Sequence, residues 1–550
     1  MNDTMIFTNG KIFTMDPRRP WVEAFALQSG YIVATGDKRE VESKVGSHEV
    51  IDLGGRFVMP GFIDAHLHFA WGASYVEDIG VRQARTMSEV LAKLGDYAKK
   101  NPEKIWLVGH EFSYGYPDLE GGAFHKSMFD DVVSDRPVFF YSGMAHAAWV
   151  NSKALAAAGI NSKTPDPEGG IIVRDEHGEP TGWLKESAVT LIKRLIPPAT
   201  AEEVKAALKK ALALAASCGI TRVQSAGYDD HVFPILQELQ QEGRLTCRFT
   251  LSSVIDPSAD VDAKLAEMAE FRTAYNDDHI QFLIGKFFLD GVLESHTGYM
   301  PRGYADKPEE TGVLLWKTEA YQNAVAKVQS AGFQVWTHAI GEGAIQIALD
   351  AYAADAKNSK SRRPRVEHVE IPRMEDIARF KEIGAIASLQ PSMIYPKDEW
   401  LGMEGIWEVR AGKENLARAF PVRAILDTGG AVAFGTDWPI IDLNPLLGIR
   451  KAVVRQSIDR QPEAGWIPAQ AVTVEDALHA YTLGAAYAGH REHLEGSISA
   501  GKLADIVILE GDPLTQDPQT LSALNVTATL VGGQLVYGTL PGYSHATPEL

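Results

Sequence analysis

Eight short apolar segments recur along the middle of the chain, and helical stretches separate most of them. Strands that alternate with helices are typical of βα units, in which a crossover helix connects two parallel strands. Eight such units favour a closed (β/α)8 barrel of the TIM type over an open, doubly wound sheet. No glycine-rich dinucleotide fingerprint follows the first segment, which also weakens the open-sheet alternative. The eight segments span residues 57–68, 219–227, 247–254, 284–291, 333–339, 365–371, 385–391 and 431–439.

Both ends of the chain carry strand and turn signals instead. Asn9-Gly10, Ser29-Gly30 and Gly532-Gly533 each separate two apolar runs, which is the pattern of a β-hairpin. Two β-rich ends that flank a long α/β middle predict a small β-sandwich domain built from both termini.

The spacing of the predicted strands also indicates two insertions into the barrel. One fills the long gap between the first two strands, and the other follows the seventh strand. Loops that follow barrel strands lie on the C-terminal face, so both insertions can cover the mouth of an active site. The predicted bounds are 1–59 with 490–550 for the β domain, 60–489 for the barrel, and about 70–200 and 392–415 for the insertions.

Composition narrows the possible partners and the compartment. The 550 residues include 53 Lys and Arg against 72 Asp and Glu, a net charge of −19, which argues against a nucleic-acid or anionic-membrane partner. Cys218 and Cys247 are too few for a disulfide framework, as expected of reduced thiols in the cytoplasm. The N-terminal stretch lacks the pattern of a secretory signal, and no run reaches about 18 apolar residues. We therefore expect a cytoplasmic protein that acts on a small molecule.

Histidines and one aspartate lie at or near the ends of several predicted barrel strands. His66 and His68 are two residues apart, so both side chains can point to the same side of the first strand. In a closed barrel the ends of the strands converge on the C-terminal face, where catalytic groups gather. Four imidazoles and a carboxylate suit a divalent metal such as zinc. These residues are His66, His68, His338, His368 and Asp437, and Lys286 in the fourth predicted strand completes the candidate set.

Simpler readings exist for each of these residues alone. A single histidine in an apolar strand is more often a hydrogen-bonded core or surface residue than a metal ligand. Lys286 could pair with Asp290 or another carboxylate. The joint pattern on four strands, all near C-terminal ends, is much harder to explain as packing.

Several stretches together resemble the amidohydrolase superfamily. Within it the chain is similar to the YtcJ-like branch, which includes N-substituted formamide deformylases, and the similarity runs over nearly the full length. The stretches that carry the resemblance are MPGFIDAHLH, VWTHAIGEGA, RVEHVEI, FGTDWPI and GSISAGKLADIVIL.

The resemblance implies a barrel that holds one or two divalent metal ions. Carried over, it places His66, His68 and Asp437 on the more buried ion and His338 and His368 on the second. An ammonium group has no lone pair and cannot be a ligand. Lys286 would therefore bridge the ions as N6-carboxylysine, and the alternative is a single-metal site in which this lysine is structural.

The chemistry that follows is hydrolysis. A metal ion lowers the pKa of bound water from ~15.7 to ~7, so that hydroxide can attack a carbonyl-type carbon at neutral pH. Asp437 is the expected general acid and base, and the metal or a nearby histidine, His338, polarises the carbonyl oxygen. The favoured reaction is cleavage of a C–N bond in an amide, formamide or carbamate.

Other functions remain open at this point. Ester or lactone hydrolysis or a decarboxylation could use the same site, because fold and metal do not determine the substrate. A catalytically silent binding or assembly protein is disfavoured, because all six expected ligand positions are intact. The family also implies a homodimer or larger homo-oligomer.

Substrate contacts are predicted in the loops near the mouth of the barrel. His146 lies in a stretch that matches the family, and His296 follows the fourth strand. His110 with Glu111 ends a strand of the first insertion and is a weaker candidate. An aromatic lining would suit an apolar or aromatic substrate, and its candidates are Trp71, Trp183 and Trp438, with Trp149 and Tyr299 as further loop aromatics.

Overall fold

Within the residues that the structure describes, the strands form three sheets. The computed structural model describes residues 4–112, 116–119, 124–142, 147–167, 170–394 and 405–543. The strands are β1 Thr4–Phe13, β2 Trp21–Gln28, β3 Tyr31–Gly36, β4 Glu49–Asp52, β5 Phe57–Pro60, β6 Phe62–Leu67, β7 Ile79–Gly80, β8 Leu107–Phe112, β9 Val138–Ser142, β10 Ala147–Val150, β11 Gly170–Arg174, β12 Pro180–Glu186, β13 Ile220–Ser225, β14 Arg248–Val254, β15 Ile280–Phe288, β16 Gln334–Ala339, β17 Arg365–His368, β18 Ile386–Leu389, β19 Ala431–Phe434, β20 Ile506–Leu509, β21 Val526–Val531 and β22 Gln534–Gly538.

The helices occur mainly between the strands of the middle region. They are α1 Lys38–Lys44, α2 Phe69–Glu77, α3 Met87–Lys100, α4 Ser127–Asp130, α5 Ser152–Ala157, α6 Thr190–Lys193, α7 Ala201–Ser217, α8 Phe233–Gln241, α9 Val261–Ala274, α10 Thr318–Ser330, α11 Glu342–Ala354, α12 Ala356–Arg362, α13 Met374–Ile377, α14 Arg379–Ile383, α15 Ile406–Ala411, α16 Val422–Asp427, α17 Pro445–Val454, α18 Val474–Ala480 and α19 Leu483–Ala488. Within the described ranges, none of these helices has the length and apolar character that crossing a membrane requires.

Eight parallel strands form a nearly closed barrel, so the predicted barrel fold is confirmed. Their order in the sheet is β6, β13, β14, β15, β16, β17, β18 and β19. The two end strands are joined just beyond β19, where Asp437 N donates to His66 O at 2.7 Å and His68 N donates to Trp438 O at 2.8 Å. These bonds place the loop after β19 directly against the end of β6.

Both ends of the chain contribute to a second, eight-stranded sheet. Its order is β22, β21, β20, β5, β1, β2 and β3, with β4 paired to β1. One hydrophobic cluster draws on strands from both ends, among them Phe7, Phe25, Ile506 and Leu530. A β-sheet built from both termini is therefore present, as the predicted fold class requires.

Pro60-Gly61 marks the passage from this sheet into the barrel. β5 pairs with β20 in the terminal sheet, whereas β6 begins at Phe62 and pairs with β13 in the barrel. A Cβ atom at Gly61 would lie 2.2 Å from the Thr221 side chain, so only glycine fits where the chain changes sheets. The predicted first strand, 57–68, is thus two strands of two different sheets.

Two of the three predicted hairpin turns are confirmed, and the third is wrong. Ser29-Gly30 and Gly532-Gly533 connect paired antiparallel strands with both central residues at positive φ. Asn9-Gly10 lies inside β1, which runs unbroken from Thr4 to Phe13. The two halves of β1 pair with different partners, β4 and β5, so the left-handed Asn9 at φ 58° forms an irregularity within the strand rather than a turn.

The chain divides into two units. One holds the described residues up to Ala70 and those from Lys209 onward, and the other is Trp71–Leu208. The second unit contains a six-stranded sheet in the order β11, β12, β10, β9, β8 and β7, with α3 to α6. One of its cores contains several aromatic side chains, among them Phe112, whose ring centroid lies 4.3 Å from that of Trp149. Part of the predicted 392–415 insertion, residues 395–404, lies outside the described residues.

Candidate metal centre

Three side chains at the carboxyl ends of barrel strands present ligand atoms to one another. His66 on β6, His368 on β17 and Asp437 after β19 each offer an atom within 4.8 Å of the others. All three residues are at most 5% exposed. This is a separation that one metal ion can span.

The other predicted ligands surround this triad. His68 Nε2 lies 3.4 Å from Asp437 Oδ1, and His66 Nε2 lies 3.5 Å from the same oxygen. The His338 ring is 4.4 Å from the His368 ring. Lys286, on β15, is fully buried. The barrel therefore brings together all six of the residues that the sequence singled out, although the closest triad combines residues that the resemblance assigned to different ions.

Asp64 holds the two strand ends that carry His66 and Asp437. Its Oδ1 accepts hydrogen bonds from His66 N at 3.1 Å and Thr436 N at 3.0 Å, while Oδ2 accepts from Thr436 Oγ1 at 2.6 Å. Gly435 allows this approach, because a Cβ atom there would lie 2.4 Å from His66 N. The relative position of His66 and Asp437 is thus determined by backbone contacts as well as by their side chains.

The donor set fits a divalent cation. Within the described residues, Lys286 Nζ, His368 Nδ1 and Asp437 Oδ1 are buried and have no hydrogen-bond partner. Buried polar atoms are nearly always paired, and an unmade ion contact is one of the few explanations for an unpaired group. Imidazole nitrogens and a carboxylate are the ligands that zinc prefers in proteins.

Burial sets the protonation of these groups. Burial, reinforced by the Lys286 charge, lowers the pKa of His68 to about 4 and of His338 to about 3, so both rings are neutral and can offer a lone pair. Burial also lowers the pKa of Lys286 to about 8 and raises that of Asp437 to about 8. A bound cation would favour the carboxylate form of Asp437.

Lys286 does not make the alternative ion pair with Asp290. The Asp290 carboxylate accepts backbone hydrogen bonds from Tyr299 N, Ile340 N and Gly341 N, at 2.8 to 3.1 Å. It thereby connects the loops that follow β15 and β16. His338 is also tied to the first of these loops, because its Nε2 lies 3.1 Å from Gly291 O.

Sequence reasoning missed a buried ion pair next to the triad. Glu367 accepts a hydrogen bond from His66 Nδ1 at 2.5 Å and pairs with Arg365 at 2.8 Å. Arg365 and Glu367 are two residues apart in a fully buried strand and share a side, which is a signal that both face inward. The predicted segment 365–371 contains this signal.

An aromatic pair beside the cluster was also missed. Tyr228, after β13, stacks on Phe288 at 5.7 Å between centroids and is 61% exposed. The Phe288 ring lies 4.8 Å from Lys286 Nζ and 5.4 Å from the His338 ring. An exposed aromatic face therefore adjoins the candidate metal ligands.

The predicted substrate contacts of the first unit lie in packed surroundings. Trp438 is 7% exposed and contacts Phe69, with 5.9 Å between ring centroids. His296 directs Nε2 to Asp306 at 3.1 Å and has a left-handed backbone with φ 59°. Neither side chain belongs to the triad.

Three further predicted contacts, Trp71, Trp183 and His110, lie in the second unit. Trp71, in α2, contacts Tyr75 at 5.6 Å, and Trp183, in β12, stacks on Trp149 at 5.7 Å. His110 also stacks on Tyr75, at 3.7 Å, and is buried. His146 lies outside the described residues.

A parallel barrel that gathers histidines and an aspartate at the carboxyl ends of its strands has the arrangement of a barrel enzyme with a metal centre. The chain belongs to the amidohydrolase family, which its residues 49–537 match, and it is accordingly a hydrolase.

Individual relatives extend over the whole chain. The putative amidohydrolase YtcJ of Bacillus subtilis (strain 168) is 30% identical over 542 residues, which cover 97% of this chain and 99% of that protein. The N-substituted formamide deformylase of Arthrobacter pascens is 28% identical over 571 residues, 98% of either chain. A crystal structure of an uncharacterized metal-dependent hydrolase from Pyrococcus horikoshii OT3 has the same fold, with a TM-score of 0.75 and 24% identity over 94% of this chain and 99% of that one.

Proposed function

We propose that the protein is a metal-dependent hydrolase that cleaves the C–N bond of a small amide, formamide or carbamate. The convergence of the His66, His368 and Asp437 ligand atoms within 4.8 Å carries this proposal. Its C–N bond specificity is supported by the likeness to the N-substituted formamide deformylase, which is similar over 98% of the chain.

We assign the ligands as follows. His66, His368 and Asp437 hold the first ion, with His68 beside Asp437 as a further donor. A second ion would be held by His338 with Lys286 as N6-carboxylysine, and the unpaired, buried Nζ of Lys286 supports that modification. Zinc is the metal that we propose, because the donors are imidazoles and a carboxylate. When bound, it makes hydroxide available at neutral pH by lowering the pKa of a coordinated water to ~7.

The residues of the chain do the proton transfer and the positioning. We propose that Asp437 accepts the proton of the attacking water and delivers it to the leaving amine. One oxygen of its carboxylate, Oδ1, makes no hydrogen bond within the described chain and is available for this role. We propose that His338 polarises the carbonyl oxygen of the substrate; its ring is held in place by the contact of Nε2 with Gly291 O.

Two experiments test this assignment. Zinc-reconstituted protein is assayed against N-formyl, N-acyl, carbamate and ester compounds, aromatic and aliphatic. We expect turnover of at least one C–N substrate, whereas turnover of esters or lactones alone, or loss of CO₂ without hydrolysis, would favour the corresponding rival reaction.

Asp437→Asn should lower kcat about 10²- to 10⁴-fold, the range of a general acid–base contribution, and leave the circular dichroism spectrum unchanged. Asp442→Asn is the matched control, because Asp442 is an exposed aspartate on the same loop. Undiminished turnover by the Asp437 variant would refute the role given to this residue.

A further inference from the structure

We infer that Glu367 is a positioning residue that, together with Arg365, fixes the tautomer and orientation of His66. This inference rests on the proposed metal site and concerns how the chain orients His66, one of the proposed metal ligands. It is carried by a chain of buried hydrogen bonds that runs from the barrel interior to the imidazole.

The first link is the contact between His66 and Glu367. His66 Nδ1 donates to Glu367 Oε2 at 2.5 Å, and both side chains are at most 1% exposed. A neutral imidazole carries a single N–H, so a hydrogen bond from Nδ1 to a carboxylate leaves Nε2 with its lone pair. That Nε2 lies 3.5 Å from Asp437 Oδ1, within the candidate metal centre.

The second link is the ion pair between Arg365 and Glu367. Arg365 Nε donates to Oε1 at 2.8 Å and Nη2 to Oε2 at 3.0 Å, which is the bidentate geometry of a guanidinium–carboxylate pair. Such a pair sets the plane of the carboxylate, and the plane in turn sets the direction from which His66 is held.

Arg365 is itself anchored to three other barrel strands. Its Nη1 donates to Gln224 Oε1 at 2.5 Å, and its Nη2 donates to Ala65 O at 2.6 Å and to Ser388 Oγ at 2.7 Å. The guanidinium also lies over the Trp336 ring, 3.6 Å from its centroid. Because Ala65 immediately precedes His66, the same arginine fixes both the backbone before the histidine and the carboxylate that holds its ring.

Stability alone does not account for this arrangement. Interiors of such barrels are filled mainly by branched apolar side chains. A buried ion pair loses its hydration, and replacing it with apolar residues is often neutral or stabilising. The contact of Glu367 with His66 supplies a reason for keeping a buried ion pair here. The carboxylate partner of a metal-binding histidine raises the basicity of the ring and orients it.

The test compares two glutamates of matched chemistry. Glu495 is also buried and makes a bidentate pair with a buried barrel arginine, Arg222, at 2.6 and 2.7 Å, with Arg491 as a second partner at 3.1 Å, and within the described residues none of its hydrogen bonds reaches His66. Glu367→Gln and Glu495→Gln therefore both remove one charge from a buried arginine pair. The affinity of each metal-free protein for Zn²⁺ is measured by competition with a chelating dye, and Co²⁺ is added in parallel to record the absorption spectrum of its ligand field.

We expect Glu367→Gln to weaken Zn²⁺ binding about 10- to 100-fold, the usual effect of losing such a partner, and to shift the Co²⁺ spectrum. Glu495→Gln should leave both readouts as in the wild type. Glu367→Asp retains the charge but withdraws it from the ring, so it should give an intermediate loss of affinity, and it serves as the second variant if Glu367→Gln does not fold.

Two results would overturn this inference alone. Wild-type affinity and spectrum in Glu367→Gln or Glu367→Asp would do so while leaving the proposed metal site intact, as would an equal loss in Glu495→Gln. Absence of Zn²⁺ binding by the wild type would instead overturn the proposed function, and the inference with it.

Discussion

His368 and Asp437 have backbone conformations that L-residues rarely adopt. Their φ angles are 76° and 59°, in the left-handed region, and such strain costs of order 1–3 kcal/mol and clusters at functional sites. In a regular strand, neighbouring side chains point to opposite sides. Glu367 and His368 nevertheless both reach His66, at 2.5 Å and at 5.0 Å between rings. The turn in the backbone at His368 therefore redirects its side chain toward the centre.

This residue-scale detail limits what could be predicted from the sequence. The spacing of His66 and His68, and the occurrence of His338, His368 and Asp437 near strand ends, were sufficient to predict the cluster. The spacing of Arg365 and Glu367 indicates that both face inward, but strict alternation would then have placed His368 on the opposite side, so the sequence could not predict that Glu367 and His368 both reach His66. The departure from alternation is a backbone property of the folded barrel, not of the local sequence.

Tyr228 provides a test of substrate preference. It is exposed and stacks on Phe288, whose ring adjoins Lys286 and His338, so an aromatic substituent of the substrate can stack on it. An aromatic pair contributes about 0.5–1.5 kcal/mol, so Tyr228→Ala should raise KM for an aromatic amide by roughly 2- to 12-fold. Tyr228→Phe keeps the ring and should behave as the wild type. An equal rise in KM for aromatic and aliphatic amides would contradict this role.

At the scale of elements, the loop after β19 and the end of β6 form one structural unit. Asp64 and the bond from Asp437 N to His66 O connect them, and Gly435 provides the room. Residues 385–391 and 431–439 could be predicted as strands from their apolar runs. The need for glycine at position 435 could not, because it arises from a chain segment some 370 residues earlier in the sequence.

Gly435→Ala tests this connection. The new Cβ would lie 2.4 Å from His66 N and 2.8 Å from His66 O, both backbone atoms that cannot move aside without displacing the strand. We expect Zn²⁺ affinity to fall and kcat/KM to drop about 10²-fold, as for a displacement of about 1 Å at a catalytic group. Gly46→Ala is the control, because a Cβ atom there meets nothing within 4 Å. Unchanged metal binding in Gly435→Ala would show that metal binding does not require the close approach of the loop after β19 to the end of β6.

The turns near the two ends of the chain also show how far local sequence predicts structure. Ser29-Gly30 and Gly532-Gly533 were predictable as hairpin turns because local residues determine them. Asn9-Gly10 has the same local signal, but β1 continues through it because β4 and β5 pair with its two halves. Long-range pairing outweighs local turn preference at that position.

At the scale of the whole first unit, buried ion pairs connect the barrel to the chain that leads into the terminal sheet. Arg222 on β13 pairs with Glu495, and Arg248 on β14 pairs with Asp505, directly before β20. Asp278 O accepts a hydrogen bond from both arginines, at 3.0 Å in each case. These contacts lie at the start of the barrel strands, at the end opposite to the candidate metal centre.

Glu495→Gln should reveal this connection through the pH dependence of stability. Burial raises the pKa of Glu495, but the attraction and hydrogen bonds of Arg222 outweigh it and hold the pKa below its usual value of 4.5. A carboxyl group with a lowered folded-state pKa stabilises the fold above its unfolded pKa, and this contribution is lost as the pH falls through the folded pKa. We expect the free energy of unfolding of the variant to be lower than that of the wild type by about 3 kcal/mol at pH 7, as for a broken buried pair. Near pH 4 the difference should be clearly smaller.

Urea denaturation at the two pH values measures this difference. The wild type should lose stability on acidification more steeply than the variant. If the variant is less stable than the wild type by the same free energy at pH 7 and at pH 4, the charge of Glu495 is not what stabilises the connection.

The most direct test of the central claim is the divalent-metal content of the purified protein, followed by hydrolysis before and after chelation. The account predicts one or two ions per chain, loss of hydrolysis when they are removed, and recovery when Zn²⁺ is added. A double variant, His66→Ala with His368→Ala, should retain little metal, because both residues belong to the triad. A wild-type protein that holds no divalent metal, and that gains no hydrolytic activity when metal is supplied, would contradict the account.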